Sequence, residues 1–277
     1  MNVFTRLLLE QGHAIKLYDV DARRAQEVAE RHGVPRSISV QEAASGADLI
    51  LICASTEAVP GILDEVMLHT TSDTIISEIA SFKAKTIPAL KRSGGLGPLS
   101  IHPMFGPDIA TFQGETIAVV TVNDSVKEME TARALFPESK LVPLDPETHD
   151  RCMASILSLP YFMNLVFARV MADGDLQLMK ELAGPSFEVQ IAVTQSIIGE
   201  SPELIRSLIN DDMFSWPLIR KFLDEANHLI TLLKSGSDVV DPFLEKLKGS
   251  MGGKLELESA REFRNQILES IKKEVCV

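Results

Sequence analysis

A histidine in a segment rich in proline and glycine is the residue of this sequence best suited to do chemistry. The segment is His102-Pro103-Met104-Phe105-Gly106-Pro107-Asp108, and it follows the short apolar run Leu99-Ser100-Ile101. Ser81 follows a second apolar run, residues 75–80. Because ligands of open α/β sheets bind outside the carboxyl ends of the strands, we expect both side chains at one ligand-binding edge. A histidine there, backed by a hydroxyl, can accept a proton near neutral pH.

The elements that must position these residues alternate between helix and strand in the first half of the chain. Periodicity predicts strands at residues 14–19, 48–54, 74–79, 99–101, 116–122 and 140–142. It predicts helices at residues 4–10, 22–31, 59–68, 84–92 and 126–136. This alternation predicts an α/β fold with a doubly wound, Rossmann-like sheet.

The second half shows no convincing strand after about residue 149. Long helix-periodic segments span residues 152–171, 187–198, 218–233 and 256–272. We therefore predict two domains, residues 1–150 and an all-helical domain of residues 151–277. Because such a domain often cannot bury its apolar faces alone, a homodimer is expected.

Composition excludes several classes of function. The formal net charge of −12 argues against nucleic acid and against anionic membranes. The longest apolar runs are strand-sized, so no transmembrane helix is expected, and the first ten residues lack a signal-peptide pattern. The three cysteines, Cys53, Cys152 and Cys276, fit a reducing cytoplasm. His and Cys residues do not cluster with metal-ligand spacing, so we predict no metal site.

A dinucleotide-binding domain is expected to open with a strand and a Gly-x-Gly-x-x-Gly turn that binds the pyrophosphate. The sequence holds no such turn, and Met1 stands roughly where the turn should end. Either the chain begins late or the protein has lost the motif. Asp19 ends the second predicted strand, where an acid binds the ribose 2′-hydroxyl and favours NAD over NADP. The alternative for Asp19 is an ordinary turn residue.

Together these motifs resemble the prephenate/arogenate dehydrogenase (TyrA-type) family over nearly the whole chain. His102-Pro103-Met104-Phe105-Gly106-Pro107 is the most specific match, and Ala80-Ser81-Phe82-Lys83 is similar to the Ser-x-Lys segment of the family. Residues 148–154 resemble the His-Asp segment that opens the helical domain. The resemblance implies an N-terminal domain that binds the nicotinamide cofactor and a helical domain that dimerises and closes over the substrate.

The activity that the resemblance implies is NAD-dependent oxidative decarboxylation of prephenate or arogenate in tyrosine biosynthesis. His102 would accept the proton of the substrate 4-hydroxyl while hydride leaves C4, and loss of CO2 would make the ring aromatic. Ser81 would hydrogen-bond His102 or the cofactor, or simply cap the following helix. Because the imidazole must be neutral, activity should fall at low pH.

Further contacts are assigned by the same resemblance. The cofactor contacts are expected to be Asp19, Ala54, Ser55, Ala80, Pro103 and Met104. The substrate contacts are expected to be Gly106, Asp108, Tyr161 and Ser196. Gly106 permits close approach of its loop to a ligand, and the flanking prolines stiffen that loop. His149-Asp150 is interpreted as the start of a helix, with the acid favoured in the first turn.

The sequence departs from the family pattern at two places that leave the substrate open. Residues 157–161 fall where many relatives carry one or two histidines, and Tyr161 keeps only a hydrogen-bond donor. Gln195-Ser196 falls where relatives carry a Gly-Arg, whose arginine grips the substrate carboxylate. The candidate replacements are Arg169, Arg206, Arg220 and Lys221. The alternatives are a 4-amino-4-deoxyprephenate dehydrogenase of secondary metabolism and a non-enzymatic dimeric relative without the cofactor turn.

Overall fold

The chain forms two compact units, Met1–Met153 and Ala154–Val277. The structure, a computed structural model, describes residues 2–93, 97–252 and 254–275. Cys276 therefore lies outside the described residues. The functional domains predicted above, residues 1–150 and 151–277, stay a proposal.

A five-stranded sheet with consecutive strand order forms the centre of the first unit. Its strands are β1 (Leu49–Ile52), β2 (Ile75–Glu78), β3 (Gly97–Pro103), β4 (Thr116–Val120) and β5 (Lys140–Leu144). Strands β1, β2 and β3 are parallel, β4 runs antiparallel to β3, and β5 runs parallel to β4. The reversal at β4 follows from its connection, because residues 104–115 contain no crossover helix and a parallel pair needs one.

Helices cover both faces of this sheet, as expected for a doubly wound fold. They are α1 (Asn2–Glu10), α2 (Ala22–His32), α3 (Val40–Ala44), α4 (Val59–Val66), α5 (Thr86–Lys91), α6 (Ser125–Leu135) and α7 (Pro146–Met153), with a 3₁₀ turn at Met67–His69. On one face, Phe4 of α1 and Ala132 of α6 pack with Ile101. On the other face, Leu63 of α4 and Leu90 of α5 pack with Ile76. The predicted fold class is confirmed.

The strand predicted at residues 14–19 is not part of the sheet. Leu17 forms a single parallel bridge with Arg36. The Leu17 N–H donates to the Pro35 carbonyl at 2.9 Å, and the Ser37 N–H donates to the Leu17 carbonyl at 2.7 Å. An extended segment becomes a strand only where a neighbouring strand continues the ladder. Here the neighbour is a short stretch near residue 36, so the strand prediction was wrong.

The second unit is helical throughout its described residues. It contains a π-helical turn (Ala154–Ser158) and the helices α8 (Leu159–Met171), α9 (Leu176–Glu181), α10 (Pro185–Ile198), α11 (Pro202–Asn210), α12 (Ser215–Leu232), α13 (Ser237–Ser250) and α14 (Lys254–Val275). Helices α9, α11 and α13 were not predicted. The first two have only 6 and 9 residues, and α13 contains an internal proline, Pro242, a residue that normally disfavours a helix.

One helical run, Pro146–Met171, is long and apolar enough to cross a membrane by length and composition. This run is longer than the strand-sized apolar runs on which the expectation of no transmembrane helix was based, and that expectation stays a prediction. Core helices of water-soluble proteins meet the same criteria. The first turns of this run carry Glu147, Asp150 and Arg151, and Asp150 is buried within the first unit.

Candidate active site

His102 lies near the carboxyl end of β3, on the face of the sheet that carries α4 and α5. Side chains alternate along the strand, so Leu99 and Ile101 enter the core beside α1, whereas Ser100 and His102 face the opposite side. The His102 side chain is buried, with 6% of its surface exposed. The parallel pairing of β2 and β3 brings the residues that follow β2 to the same edge, as the sequence predicts.

A second histidine and an aspartate form a hydrogen-bonded chain with His102. The His102 Nδ1 atom lies 3.0 Å from the His149 Nε2 atom, and the rings meet edge to face with centroids 5.2 Å apart. The His149 Nδ1 atom lies 2.8 Å from Asp150 Oδ1. Asp150 also accepts the backbone N–H groups of Lys83 at 2.8 Å and Ala84 at 2.9 Å. The side chains of His102, His149 and Asp150 are all buried.

The directions of these bonds follow from the acceptors that are available. A carboxylate can only accept, so His149 donates its Nδ1–H to Asp150. When His149 carries this single ring proton, its Nε2 has a lone pair that accepts the Nδ1–H of His102. By this assignment from the hydrogen-bond network, the lone pair of His102 lies on Nε2. That nitrogen is the one available to take a proton from a ligand.

A buried ion pair, Lys83 with Glu78, lies next to the hydrogen-bonded side chains of His102, His149 and Asp150. The Lys83 Nζ atom donates to Glu78 Oε1 at 2.9 Å and to the Ile101 carbonyl at 2.7 Å, and both charged side chains are fully buried. The other donors to Glu78 are the Ala80 amide and the hydroxyls of Thr86 and Ser100. Burial lowers the pKa of Lys83, and the neighbouring carboxylate of Glu78 opposes that shift.

These surroundings keep His102 neutral. Burial lowers the pKa of His102 well below its ordinary value of 6.5, and the positive charge of Lys83 lowers it further. The His102 imidazole is therefore uncharged in solution at neutral pH, and it can accept a proton from a ligand that is bound in contact with it.

Ser81 is half-buried in the loop after β2. The predicted bond from Ser81 to the His102 ring is not among the hydrogen bonds of the described residues, and His149 occupies Nδ1 instead. The other half of the expectation, a contact of Ser81 with the cofactor, stays a prediction.

The predicted cofactor residues follow the carboxyl ends of the three parallel strands. Ala54 and Ser55 follow β1, Ala80 follows β2, and Pro103 and Met104 end or follow β3. The parallel register of β1, β2 and β3 places these residues at one edge of the sheet. This is the edge at which open α/β sheets bind ligands.

Asp19 is half-buried just before α2, and its Oδ1 atom accepts the backbone N–H of Asp21 at 2.9 Å. This Asx-type turn shows that the turn interpretation holds. It does not exclude a contact from the carboxylate to a ribose, which stays a prediction.

Two family models match the chain in succession. "Prephenate dehydrogenase, nucleotide-binding domain" covers residues 4–122, and "Prephenate dehydrogenase, dimerization domain" covers residues 145–249. The chain belongs to the prephenate dehydrogenase family. The resemblance inferred from the motifs is confirmed.

Individual relatives are distant in sequence. A probable arogenate/prephenate dehydrogenase of Methanocaldococcus jannaschii is 22% identical over 245 residues, which cover 84% of this chain and 54% of that protein. The chain thus spans about half the length of the curated relatives it matches.

Solved structures share the fold. Prephenate dehydrogenase from Aquifex aeolicus, in complex with hydroxyphenyl propionate and NAD+, matches with a TM-score of 0.72 at 16% identity over 97% of this chain and 93% of that chain. Synechocystis arogenate dehydrogenase matches with a TM-score of 0.66 at 18% identity over 96% of this chain and 95% of that chain.

The predicted substrate residues of this family member fall in different surroundings. Gly106 and Asp108 are exposed in the loop after β3, and a Cβ atom on Gly106 would meet nothing within 4 Å. The protein itself therefore does not require glycine at this position. Whether a ligand requires it stays a prediction.

Tyr161 and Ser196 belong to the helical unit. Tyr161 is half-buried in α8, and burial and the charge of Glu200 raise its pKa, so it stays a hydrogen-bond donor. Ser196 is exposed on α10. Of the proposed arginine replacements, Arg169 pairs with Asp173 at 2.6 Å on its own helix. In the described part of the chain, no group of three or more His, Cys, Asp or Glu side chains is arranged so that it could hold a metal ion.

Sequence analysis missed four residues of this site: Glu78, Lys83, His149 and Asp150. The adjacent His149-Asp150 pair was a visible signal, but it was interpreted as a helix start because its contact lies 47 positions away in sequence. Glu78 was also visible as a single acid at the end of an apolar strand. Its buried lysine partner is fixed only by the fold.

Proposed function

We propose that this chain catalyses the NAD-dependent oxidative decarboxylation of prephenate or arogenate, a step of tyrosine biosynthesis. The observation that carries the proposal is the buried His102 at the ligand-binding edge of a prephenate dehydrogenase fold, with its Nδ1 atom 3.0 Å from His149 Nε2 and with burial lowering its pKa. The Aquifex relative binds NAD+ and a hydroxyphenyl acid, and the Synechocystis relative is an arogenate dehydrogenase. These names support a cyclohexadienyl carboxylate as the substrate.

The residues at the sheet edge fit a nicotinamide cofactor. Ala54, Ser55 and Ala80 are small, so the backbone at the ends of β1 and β2 can be approached closely by a flat ring. Asp19 is half-buried at the start of α2, where an acid would bind a ribose hydroxyl and repel the extra phosphate of NADP. The sequence contains no Gly-x-Gly-x-x-Gly turn, so calorimetric titration with NAD and NADP is the direct test of this assignment.

His102 would act as the general base of this reaction. Its Nε2 atom would accept the proton of the substrate 4-hydroxyl, breaking the O–H bond as the C4–O bond becomes a carbonyl. When bound, the nicotinamide supplies the acceptor for the hydride that leaves C4. Loss of the ring carboxylate as CO2 then leaves a phenolate, and His102 can return its proton to that same oxygen. The positive charge of Lys83 favours the neutral imidazole before substrate arrives.

Two departures from the family pattern bear on which substrate of this class the chain uses. Ser196 is exposed at a position where the family resemblance implies an arginine, and Tyr161 lies in the segment 157–161 where it implies one or two histidines. These departures favour a second candidate, the dehydrogenation of 4-amino-4-deoxyprephenate. In that substrate an amine would present its proton to His102 in place of a hydroxyl.

The test is NADH formation by the purified chain with prephenate, arogenate and 4-amino-4-deoxyprephenate. We expect turnover with one of the three and loss of at least about 10²-fold in kcat for His102→Asn, in line with removal of a general base. NAD binding without turnover of any substrate would overturn the enzymatic proposal and favour the non-enzymatic dimeric relative.

We also propose a homodimer through the helical unit and a cytoplasmic location, without nucleic-acid or membrane partners. The second matched family model describes a dimerization domain. The π-helical turn and α8 expose the apolar side chains Ile156, Met163, Val166 and Val170. Apolar surface of this kind on a soluble fold is typical of protein interfaces. The net charge of −12 does not favour a polyanionic partner. The unpaired Cys53 and Cys152 fit a reducing compartment.

A further inference from the structure

We propose that His149 and Asp150 are positioning residues that hold His102 in the tautomer with its lone pair on Nε2. This inference rests on the proposed function, in which Nε2 is the base. The two residues would act through His102 and would not touch the substrate.

When His149 carries a single ring proton, the hydrogen-bond geometry leaves one consistent direction for the three side chains. Two backbone N–H groups, from Lys83 and Ala84, already donate to Asp150, so its carboxylate accepts from every side. His149 must then present its Nδ1–H to Asp150 and its Nε2 lone pair to His102. Reversing the direction of these hydrogen bonds would place a lone pair of His149 Nδ1 against the Asp150 carboxylate.

Burial makes this direction costly to reverse. His149 is fully buried and Asp150 exposes 3% of its surface, so bulk solvent does not reach either side chain to replace a lost partner. A buried polar group that loses its hydrogen bond pays its full desolvation cost. The titratable groups around His102 are Lys83 with its partner Glu78 on the side of β2, and His149 with Asp150 on α7.

The chemistry needs a fixed base and does not need a proton wire. Because the proton taken from the substrate oxygen is returned to it as the phenol forms, no net proton has to leave along His149. The pair would instead hold the His102 ring and stabilise the imidazolium that exists between the two transfers. An aspartate plays the same part for the histidine of a serine-protease triad.

Two substitutions at His149 separate this role from simple packing. In His149→Gln the amide oxygen can still accept the Nδ1–H of His102, whereas in His149→Phe the ring fills the space and cannot accept. We expect His149→Gln to keep kcat within about 10-fold and His149→Phe to lose about 10²- to 10³-fold, with little change in KM for either. If the residue only fills space, the order is reversed, and that result would overturn the proposal.

Nitrogen-15 NMR of the imidazoles in the substrate-free protein tests the inference without any turnover. The chain has six histidines, and single His→Asn variants at positions 102 and 149 assign the two ring systems. We expect a protonated Nδ1 and an unprotonated Nε2 on His102 at pH 7.5. A protonated Nε2 would overturn the inference. If none of the three substrates turns over but Nε2 is unprotonated, the positioning role stands and the proposed reaction fails.

Discussion

At the scale of single residues, the site depends on charge that the fold neutralises in a dry environment. A buried lysine is compensated by one glutamate, and a buried aspartate is compensated by two amides and a histidine. His102 lies between the two groups and carries no charge at neutral pH. The stability of the first unit should therefore respond to any proton forced onto this imidazole.

Acidification is expected to destabilise the protein through His102. The pKa of His102 is lowered in the folded state, so below about pH 6.5 the unfolded chain binds a proton that the folded chain does not. This contribution is fully present above the unfolded pKa, and it is lost as the pH falls from 6.5 toward the lowered folded pKa, by up to about 1.4 kcal/mol per pH unit.

Urea denaturation at pH 7.5 and 5.5 measures this effect. His102→Asn should show a smaller loss of unfolding free energy between the two pH values than the parent chain, while His228→Asn, at an exposed position, should match the parent. An equal loss in the parent and His102→Asn would contradict the prediction.

Residue-scale sequence reasoning identified His102 but not its partners, and the reason is physical. The His-Pro-Met-Phe-Gly-Pro segment is contiguous, so its identity is legible in the sequence. The contact of His102 with His149 joins β3 to α7 and depends on how the chain folds back. Lys83 and Glu78 are charged, and charged residues are usually exposed, so their complete burial could not be predicted from residue type.

At the scale of elements, α1 holds the loop that follows His102. Phe4 of α1 lies 6.2 Å from Phe105 and 5.8 Å from Phe112, measured between ring centroids. Arg6, two residues further along α1, donates to the carbonyls of Ile109 and Ala110. The first helix therefore fixes the start and the middle of the connection between β3 and β4.

Phe4→Ala should lower the unfolding free energy of the first unit by about 3 to 5 kcal/mol, because it removes a buried ring and leaves a cavity. Phe4 is 4% exposed, whereas Val126 on α6 is 66% exposed and supplies the control Val126→Ala. Chemical denaturation, with unfolding monitored by hydrogen exchange of the β3 amides, measures the unfolding free energy of both variants. A loss below about 1 kcal/mol for Phe4→Ala would show that α1 does not brace this loop.

Element prediction succeeded where a buried stripe or a ladder partner existed. The stripe Phe4, Leu7 and Leu8 of α1 is buried as its periodicity indicates. The strand expected at residues 14–19 had the right composition, but composition does not supply a neighbour, and the segment makes a single bridge. The strand propensity of a segment does not make it a strand unless a neighbouring strand pairs with it.

At the scale of the whole molecule, the helical unit exposes apolar surface that the proposed homodimer would bury. Met163, Val166 and Val170 lie one turn apart on α8 and form an apolar groove with Phe167 and Phe222. Like faces of two copies can bury one another about a two-fold axis.

Val166→Glu is expected to shift the chain from dimer to monomer, because a buried, unpaired carboxylate at the interface is costly. Light scattering coupled to size-exclusion chromatography measures the mass of the parent and the variant. The control Ile38→Glu changes an exposed apolar residue of the first unit and should remain dimeric. A monomeric parent chain, or a Val166→Glu variant that remains dimeric, would count against this interface.

The bonds from Asp150 to the amides of Lys83 and Ala84 also make those two amides report on a distant helix. Backbone amides in the loop after β2 would ordinarily exchange with solvent deuterium quickly, because they have no ladder partner. Here a side chain 67 and 66 positions further along the chain accepts them. Their exchange rates therefore report how often α7 moves away from the loop after β2. They measure the rate at which the contacts of Asp150 break while the hydrogen bonds between the strands stay intact.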